Sequence, residues 1–192
     1  MQDKISPVGA KKIEIRKELG RRLKEQQAFL RLERSKAIQE KFLSSKEFNE
    51  STTVMTYASL PTEVDTYYIN KEALKRGKRV VVPYVELTTQ MIIASEIKEI
   101  EWLEKGPFGI YQPPKVRVQE IPLKEIDLIV VPAIAFDKKN QRLGRGKGYY
   151  DRFLASSDLS SAKTIGLAFK FQIVENLPSD LHDIPVDRVI TD

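Results

Sequence analysis

The sequence predicts an α/β fold with a mostly parallel central sheet, and three observations predict it. Segments with strand character alternate with segments of helical composition along the chain. The run Leu128–Phe136 is apolar for nine residues, which suits a strand covered on both faces of a sheet. The 192 residues are 41% hydrophobic and 31% charged, a balance that supports one core and argues against disorder. No linker or internal repeat interrupts the chain, so a single domain over 1–192 is expected.

The elements follow in order. Residues 8–26 and 28–46 read as helices, rich in Lys, Glu, Leu, Arg and Gln. Thr53–Tyr57 reads as a strand, and Val64–Arg76 as a helix closed by Gly77. Arg79–Tyr84 is a strand and Met91–Ile97 an edge strand. Gly106–Pro114 is a Gly/Pro loop. Asp127–Phe136 is predicted as one continuous buried strand. A glycine loop at 144–148 leads into a helix from about Tyr149. Thr164–Lys170 and Arg188–Thr191 are the last strands.

Composition excludes several chemistries. There is no Cys, so disulfides, thiolate metal sites and Cys nucleophiles are ruled out. His182 is the only His, which excludes a multi-His metal site; it reads as a structural loop residue. Any metal would have oxygen ligands, which points to magnesium. No apolar run approaches the roughly 20 residues of a membrane helix, and the N-terminus lacks a signal-peptide core. A cytoplasmic protein without membrane contact is expected.

The charge is uneven. Residues 1–48 hold 13 Lys/Arg against 7 Asp/Glu, and Lys138–Arg152 holds six basic residues against Asp151 alone. Two basic concentrations suggest an anionic ligand. Nucleic acid is disfavoured, because residues 1–48 offer only Phe29, Phe42 and Phe48, all at core spacing. On the first helix, Val8, Ile15, Leu19 and Leu23 share one stripe, and Lys12 and Arg16 fall on it. Either both stems snorkel to water, or both heads point into a cleft and meet an anion.

Residues 142–152 alternate Gly144, Gly146 and Gly148 with Arg145 and Lys147. Glycines let backbone amides approach phosphate oxygens, and the two cations add charge. The P-loop and dinucleotide patterns both fail, because Tyr149 and Tyr150 stand where they need other residues. Phosphate binding is favoured over a merely basic surface loop. Glu63, in a Pro-Thr-Glu turn, reads on its own as an acid near the start of the next helix.

The run Arg142–Asp151 (RLGRGKGYYD), after Val131–Asp137 (VPAIAFD), resembles the signature of the 5-formyltetrahydrofolate cyclo-ligase family, the 5,10-methenyltetrahydrofolate synthetases. Lys12–Arg16 (KIEIR), Leu60–Thr66 (LPTEVDT), Ile110–Pro113 (IYQP) and His182–Asp187 (HDIPVD) match weaker segments in the family's order. The resemblance covers almost the whole chain. It implies a small cytoplasmic enzyme, expected as a monomer. The implied fold is a three-layer α/β/α sandwich similar to the sugar-phosphate isomerase and CoA-transferase group.

The resemblance also implies roles. Lys12, Arg16 and the loop Arg142, Leu143, Gly144, Arg145, Gly146, Lys147, Gly148, Tyr149 and Tyr150 would bind ATP. Tyr149 is expected to face the ligand and Tyr150 to pack in the core. Asp151 and Asp183 would hold magnesium. Ala58, Glu63 and Phe108 would contact the folate, together with Arg145, Gly146, Lys147, Gly148 and Tyr149. Phe108 stands where some members carry Trp. Arg145 and Lys147 would serve catalysis, since phosphoryl transfer demands positioning and charge neutralisation. The expected reaction is ATP-dependent cyclisation of 5-formyltetrahydrofolate to 5,10-methenyltetrahydrofolate. The competing reading is a sugar-phosphate isomerase or transferase of similar fold.

Overall fold

The computed structural model describes residues 6–192. Helix α1, Pro7–Glu25, starts where Ser6 Oγ accepts the Gly9 amide at 3.0 Å and Pro7 fills the first helical position. Helix α2, Ala28–Leu43, ends earlier than the composition suggests. Ser44 and Ser45 turn their hydroxyls onto carbonyls of the preceding turn, and Ser45 then caps a separate helix α3, Lys46–Glu50. Strand β1 is Thr53–Met55. Helix α4, Tyr67–Lys75, begins later than expected because Thr66 closes a turn, its hydroxyl donating to the Tyr57 carbonyl. Gly77 ends α4 at φ 73°, with Lys78 N–H on the Ala73 carbonyl and Gly77 N–H on the Leu74 carbonyl.

The remaining strands are β2 Arg79–Glu86, β3 Met91–Ile97, β4 Glu104–Lys105, β5 Tyr111–Gln112, β6 Leu128–Val131, β7 Ala135–Asp137, β8 Arg142–Leu143, β9 Lys163–Ala168, β10 Ile173–Val174 and β11 Arg188–Thr191. Helix α5, Tyr149–Leu154, lies between β8 and β9. The central sheet has the order β11-β9-β6-β1-β2-β3. All neighbours pair in parallel except β2 and β3, so the expected edge strand is the one antiparallel member.

The single strand expected over Asp127–Phe136 is two strands in two sheets. Pro132 has no amide hydrogen to continue a ladder, so β6 stops before it. β7 joins a small sheet of order β10-β7-β8. The glycine loop therefore follows β8, antiparallel to β7, and not the carboxyl end of a central strand.

Alternate residues of the central strands feed two cores. One face carries Val54, Val80, Val82, Leu128 and Val130 against Leu19 and Leu23 of α1, Ile38 and Phe42 of α2 and Ile69 of α4. The other carries Met55, Val81, Ile129 and Val131 against Phe153 of α5 and Leu159. Phe136 folds over the sheet so closely that a Cβ on Gly166 would lie 2.3 Å from its Cζ. Glycine is therefore required at position 166 by packing.

Candidate active site

Strand order reverses between β1 and β6. The chain moves outward through β2 and β3, then returns beside β1 with β6 and continues to β9 and β11. In open α/β sheets a crevice forms beyond the carboxyl ends of strands at such a point. A cavity of about 280 Å³ lies there. Tyr57, just past β1, and Pro132 and Ala133, just past β6, line it.

One side of the cavity is apolar. Pro83 and Val85 continue the row that Val81 begins on β2, and Ile92 of β3 pairs with Val85. The segment 106–112 closes this side with Phe108 and Ile110. Gln112 anchors it, its buried Oε1 accepting the Val85 amide at 3.0 Å. Phe108 sits at φ 58°, a left-handed conformation that turns its half-exposed ring toward Tyr149, 6.1 Å between centroids.

The other side is the glycine loop. Gly146 and Gly148 have φ of 91° and 70°, values that side-chain-bearing residues rarely adopt. Arg16 braces the loop from α1: its Nε donates to the Gly144 carbonyl at 2.9 Å, and its guanidinium lies against Gly146. Arg145 reaches across the cavity to Glu63, with Nη2 to Oε1 at 2.8 Å. The other Glu63 oxygen accepts the Leu60 amide at 2.9 Å. Lys147 Nζ lies 5.9 Å from the Phe108 ring centroid and makes no ion pair among the described residues. α5 is only six residues long, so these side-chain charges, more than a helix dipole, set the attraction for an anion.

Beneath the loop, Arg142 is buried and donates from Nη2 to Asp151 Oδ1 at 2.5 Å. Its Nε is buried without a partner among the described residues. Burial lowers the Arg142 pKa, and the Asp151 carboxylate opposes that shift. Tyr150 packs edge-on to Phe153 and also lines the cavity, its buried hydroxyl unpartnered among the described residues. Burial raises the Tyr150 pKa and also that of Tyr57, so both remain neutral phenols.

Lys12 takes neither course open to it from the sequence. It does not snorkel, and it is not an unpaired cation: its Nζ is held by Asp183 Oδ2 at 2.5 Å and Asp180 Oδ2 at 2.8 Å. Burial disfavours the ammonium, but the hydrogen bonds and charges of the two aspartates outweigh it and raise the pKa. Asp183 also accepts the Asp180 amide at 2.6 Å and lines the cavity. Lys12 thus meets the site through Asp183.

The structure gathers Arg16, Glu63, Phe108, Arg142–Asp151 and Asp183 around one cavity. Ala58 lines a neighbouring cavity instead. Tyr57, Pro83, Val85, Ile92, Ile110, Pro132 and Ala133 were not foreseen. Strand parity from Val81 could have found Pro83 and Val85, and Ile110, Pro132 and Ala133 lie in the segments that carry the family resemblance; nothing local marks Tyr57 or Ile92. Among the described residues no three acidic or His side chains cluster for a metal. Asp151 and Asp183 nevertheless fit magnesium, which commonly takes one or two carboxylates and completes its shell with phosphates and water. Each keeps one oxygen outside the hydrogen bonds described.

The chain matches the model of the 5-formyltetrahydrofolate cyclo-ligase family over residues 8–192. It is 35% identical over 191 residues to the 5-formyltetrahydrofolate cyclo-ligase of Mus musculus, covering 95% of this chain and 94% of that one. The solved 5,10-methenyltetrahydrofolate synthetase of Aquifex aeolicus superposes with a TM-score of 0.79 at 34% identity, over 93% of this chain and 88% of that one. The synthetase of Mycoplasma pneumoniae superposes with a TM-score of 0.74 at 25% identity, over 94% and 98%.

Proposed function

The chain belongs to the 5-formyltetrahydrofolate cyclo-ligase family, and from that membership we propose that it converts 5-formyltetrahydrofolate and ATP to 5,10-methenyltetrahydrofolate, ADP and phosphate. The observation that carries the reading is one cavity with a phosphate-suited glycine loop on one side and an apolar wall on the other. We also read the layered α/β architecture as a three-layer sandwich akin to the sugar-phosphate isomerase and CoA-transferase group. A cytoplasmic monomer is the state in which we place it. Among the described residues no helix is long and apolar enough to cross a membrane.

The formyl group on nitrogen-5 is an amide, and its oxygen is a poor leaving group. Transfer of the γ-phosphoryl group to that oxygen makes it one. Nitrogen-10 then attacks the activated carbon, and as the ring closes phosphate leaves and the nitrogen-10 proton is lost to it or to water. Backbone amides of Gly144–Gly148 and the Lys147 ammonium receive the triphosphate, and Arg16 holds the loop in register through Gly144. Magnesium, held by Asp151 and Asp183, would neutralise phosphate charge. Arg142 orients Asp151 from below. Pro83, Val85 and Ile92 cover the reduced pterin, with Phe108 and Tyr149 at its edge. Glu63 is already paired with Arg145. A folate nitrogen that takes the carboxylate therefore releases Arg145 toward the phosphates.

The test is incubation with 5-formyltetrahydrofolate and MgATP while the methenyl absorbance is followed. Product should appear only with both ATP and magnesium. No product across varied pH and temperature would overturn the reading.

A further inference from the structure

The glycine loop is braced by an arginine at each end. Arg16 holds the near end through the Gly144 carbonyl. At the far end the brace is Arg152, the residue that follows the run Arg142–Asp151. Arg152 holds two successive carbonyls: its backbone amide donates to Gly148 at 3.1 Å and its Nη1 to Lys147 at 3.2 Å. The guanidinium packs directly on the loop, since a Cβ at position 148 would lie 2.7 Å from Nη1. Its carbon lies 5.2 Å from the centroid of the Tyr149 ring, over the ring face.

The same guanidinium is held from outside the loop. Nη2 and Nε both donate to the Gln90 carbonyl, at 2.7 and 3.3 Å. Gln90 closes the turn between β2 and β3 and has φ of 56°, a left-handed conformation uncommon for a residue with a side chain. An exposed arginine with one partner orders little. Here all three guanidinium nitrogens are engaged by two backbone segments, and the planar group acts as a strut between them.

The direction of the strut gives it a function. Neither Arg152 nor Gln90 lines the cavity, whereas Lys147 and Gly148 do. The Lys147 carbonyl therefore points away from the cavity. A planar peptide carries its C=O and N–H on opposite edges, so the Gly148 amide is turned to the cavity side. That amide makes no hydrogen bond among the described residues. We propose that Arg152 is a positioning residue for phosphoryl transfer: anchored on the β2–β3 turn, it sets the 147–148 peptide so that the Gly148 amide meets a phosphate oxygen. The inference rests on the cyclo-ligase reading above and extends it to residues outside the cavity. The β2–β3 turn becomes part of the active-site framework, although residues 87–90 do not line the cavity.

The experiment uses Arg152→Ala, Arg152→Lys and Gln90→Val. The readouts are MgATP binding by calorimetry, turnover by methenyl absorbance and melting temperature. Arg152→Ala should weaken MgATP binding and lower kcat, each by about tenfold, the size expected for one misdirected hydrogen bond to a charged group. Its melting temperature should stay within about 3 °C of wild type. Arg152→Lys should not restore function, because one ammonium cannot fork to Gln90 and Lys147 together. The site is exposed, so millimolar guanidinium chloride should recover part of the Arg152→Ala turnover, and sodium chloride at equal ionic strength should not. Gln90→Val puts a β-branched residue at positive φ, so the turn must move its carbonyl. It should reproduce the loss of MgATP affinity with no cavity residue changed, and guanidinium should not rescue it. This variant also decides the matter if Arg152→Ala folds poorly. Wild-type MgATP affinity and turnover in Arg152→Ala would overturn the proposal. So would an Arg152→Ala loss that guanidinium leaves untouched while the melting temperature falls, which marks a structural role. Wild-type MgATP affinity in Gln90→Val would overturn it too. A wild-type protein that bound no MgATP would instead remove the cyclo-ligase reading itself.

Discussion

The two basic stretches of the chain are used differently. Residues 1–48 carry the larger excess, yet among the described residues only Lys12 of their cations is buried and only Arg16 lines the cavity. Most of the other described cations are exposed, some in helical pairs such as Arg21 with Glu25. In Lys138–Arg152, Arg142, Arg145 and Lys147 all line the cavity, while Lys138 pairs with Glu175 and Arg152 reaches the Gln90 carbonyl. Charge density alone does not locate the site. What separates the stretches is backbone and pairing: left-handed glycines turn the loop inward, and Glu63 and Asp151 hold its arginines in place. The N-terminal helix contributes only where its cations share the apolar stripe.

The sharpest break of this comparison is in the loop. Lys147→Ala removes a cavity cation that makes no ion pair among the described residues and should lower kcat by about 10²–10³. Arg145→Ala should also lower kcat, because it removes the cation released toward the phosphates, while the folate KM should not rise, since Glu63 no longer has a partner for the folate to displace. Both side chains stand at the surface of the cavity, so melting temperatures should hold. Turnover by methenyl absorbance is the measurement, and wild-type rates in both variants would remove the loop from the mechanism.

Lys12→Met is the next largest. The stem volume is kept, but Asp180 and Asp183 lose their shared cation. Stability should fall by about 1–2 kcal/mol, at the low end for charged hydrogen bonds because Asp180 is half exposed. This is the reverse of what an unpaired cation on an apolar stripe would give. The pH dependence follows from the raised pKa: the contribution is fully present below the ordinary lysine value of 10.5 and is lost as pH rises through the folded value. Denaturant titrations should show a constant wild-type-to-variant gap from about pH 6 to 9 that closes above about 10.5. A gap that widened with alkali would contradict the pairing.

Legibility followed the range of the cause. The mostly parallel sheet, its edge strand and the Gly77 cap were readable, because alternation, burial and left-handed turns leave local marks. The break at Pro132 was readable in principle, but nine apolar residues outweighed one proline until the strand was seen to enter two sheets. Lys12 and Arg16 stood out on their helix, yet their partners lie 171 and 128 residues away. No periodicity reports such a pairing. The glycine loop carried its own signal. The apolar wall opposite it arises only when β2, β3 and the 106–112 segment meet, and the placement of Ala58 in a second cavity has the same origin.

The smallest effect is the one that tests the comparison from the other side. Lys17, Lys24 and Lys36 are exposed on α1 and α2 and make no ion pair among the described residues. Changing all three to Gln removes half of the N-terminal excess while keeping side chains of similar helix propensity. If position and not net charge governs the site, ATP affinity at physiological salt should shift by less than about twofold, since exposed charges beyond about 8 Å are screened. The melting temperature should not move. At low ionic strength the association rate should fall modestly, because the summed field still steers an anion toward the cavity. Stopped-flow binding at two salt concentrations separates these terms. A salt-dependent on-rate with an unchanged dissociation rate is the signature of steering. A tenfold rise in the dissociation rate at physiological salt would mean that one of these lysines touches the nucleotide. The N-terminal helices would then line the site far more extensively than Lys12 and Arg16 imply.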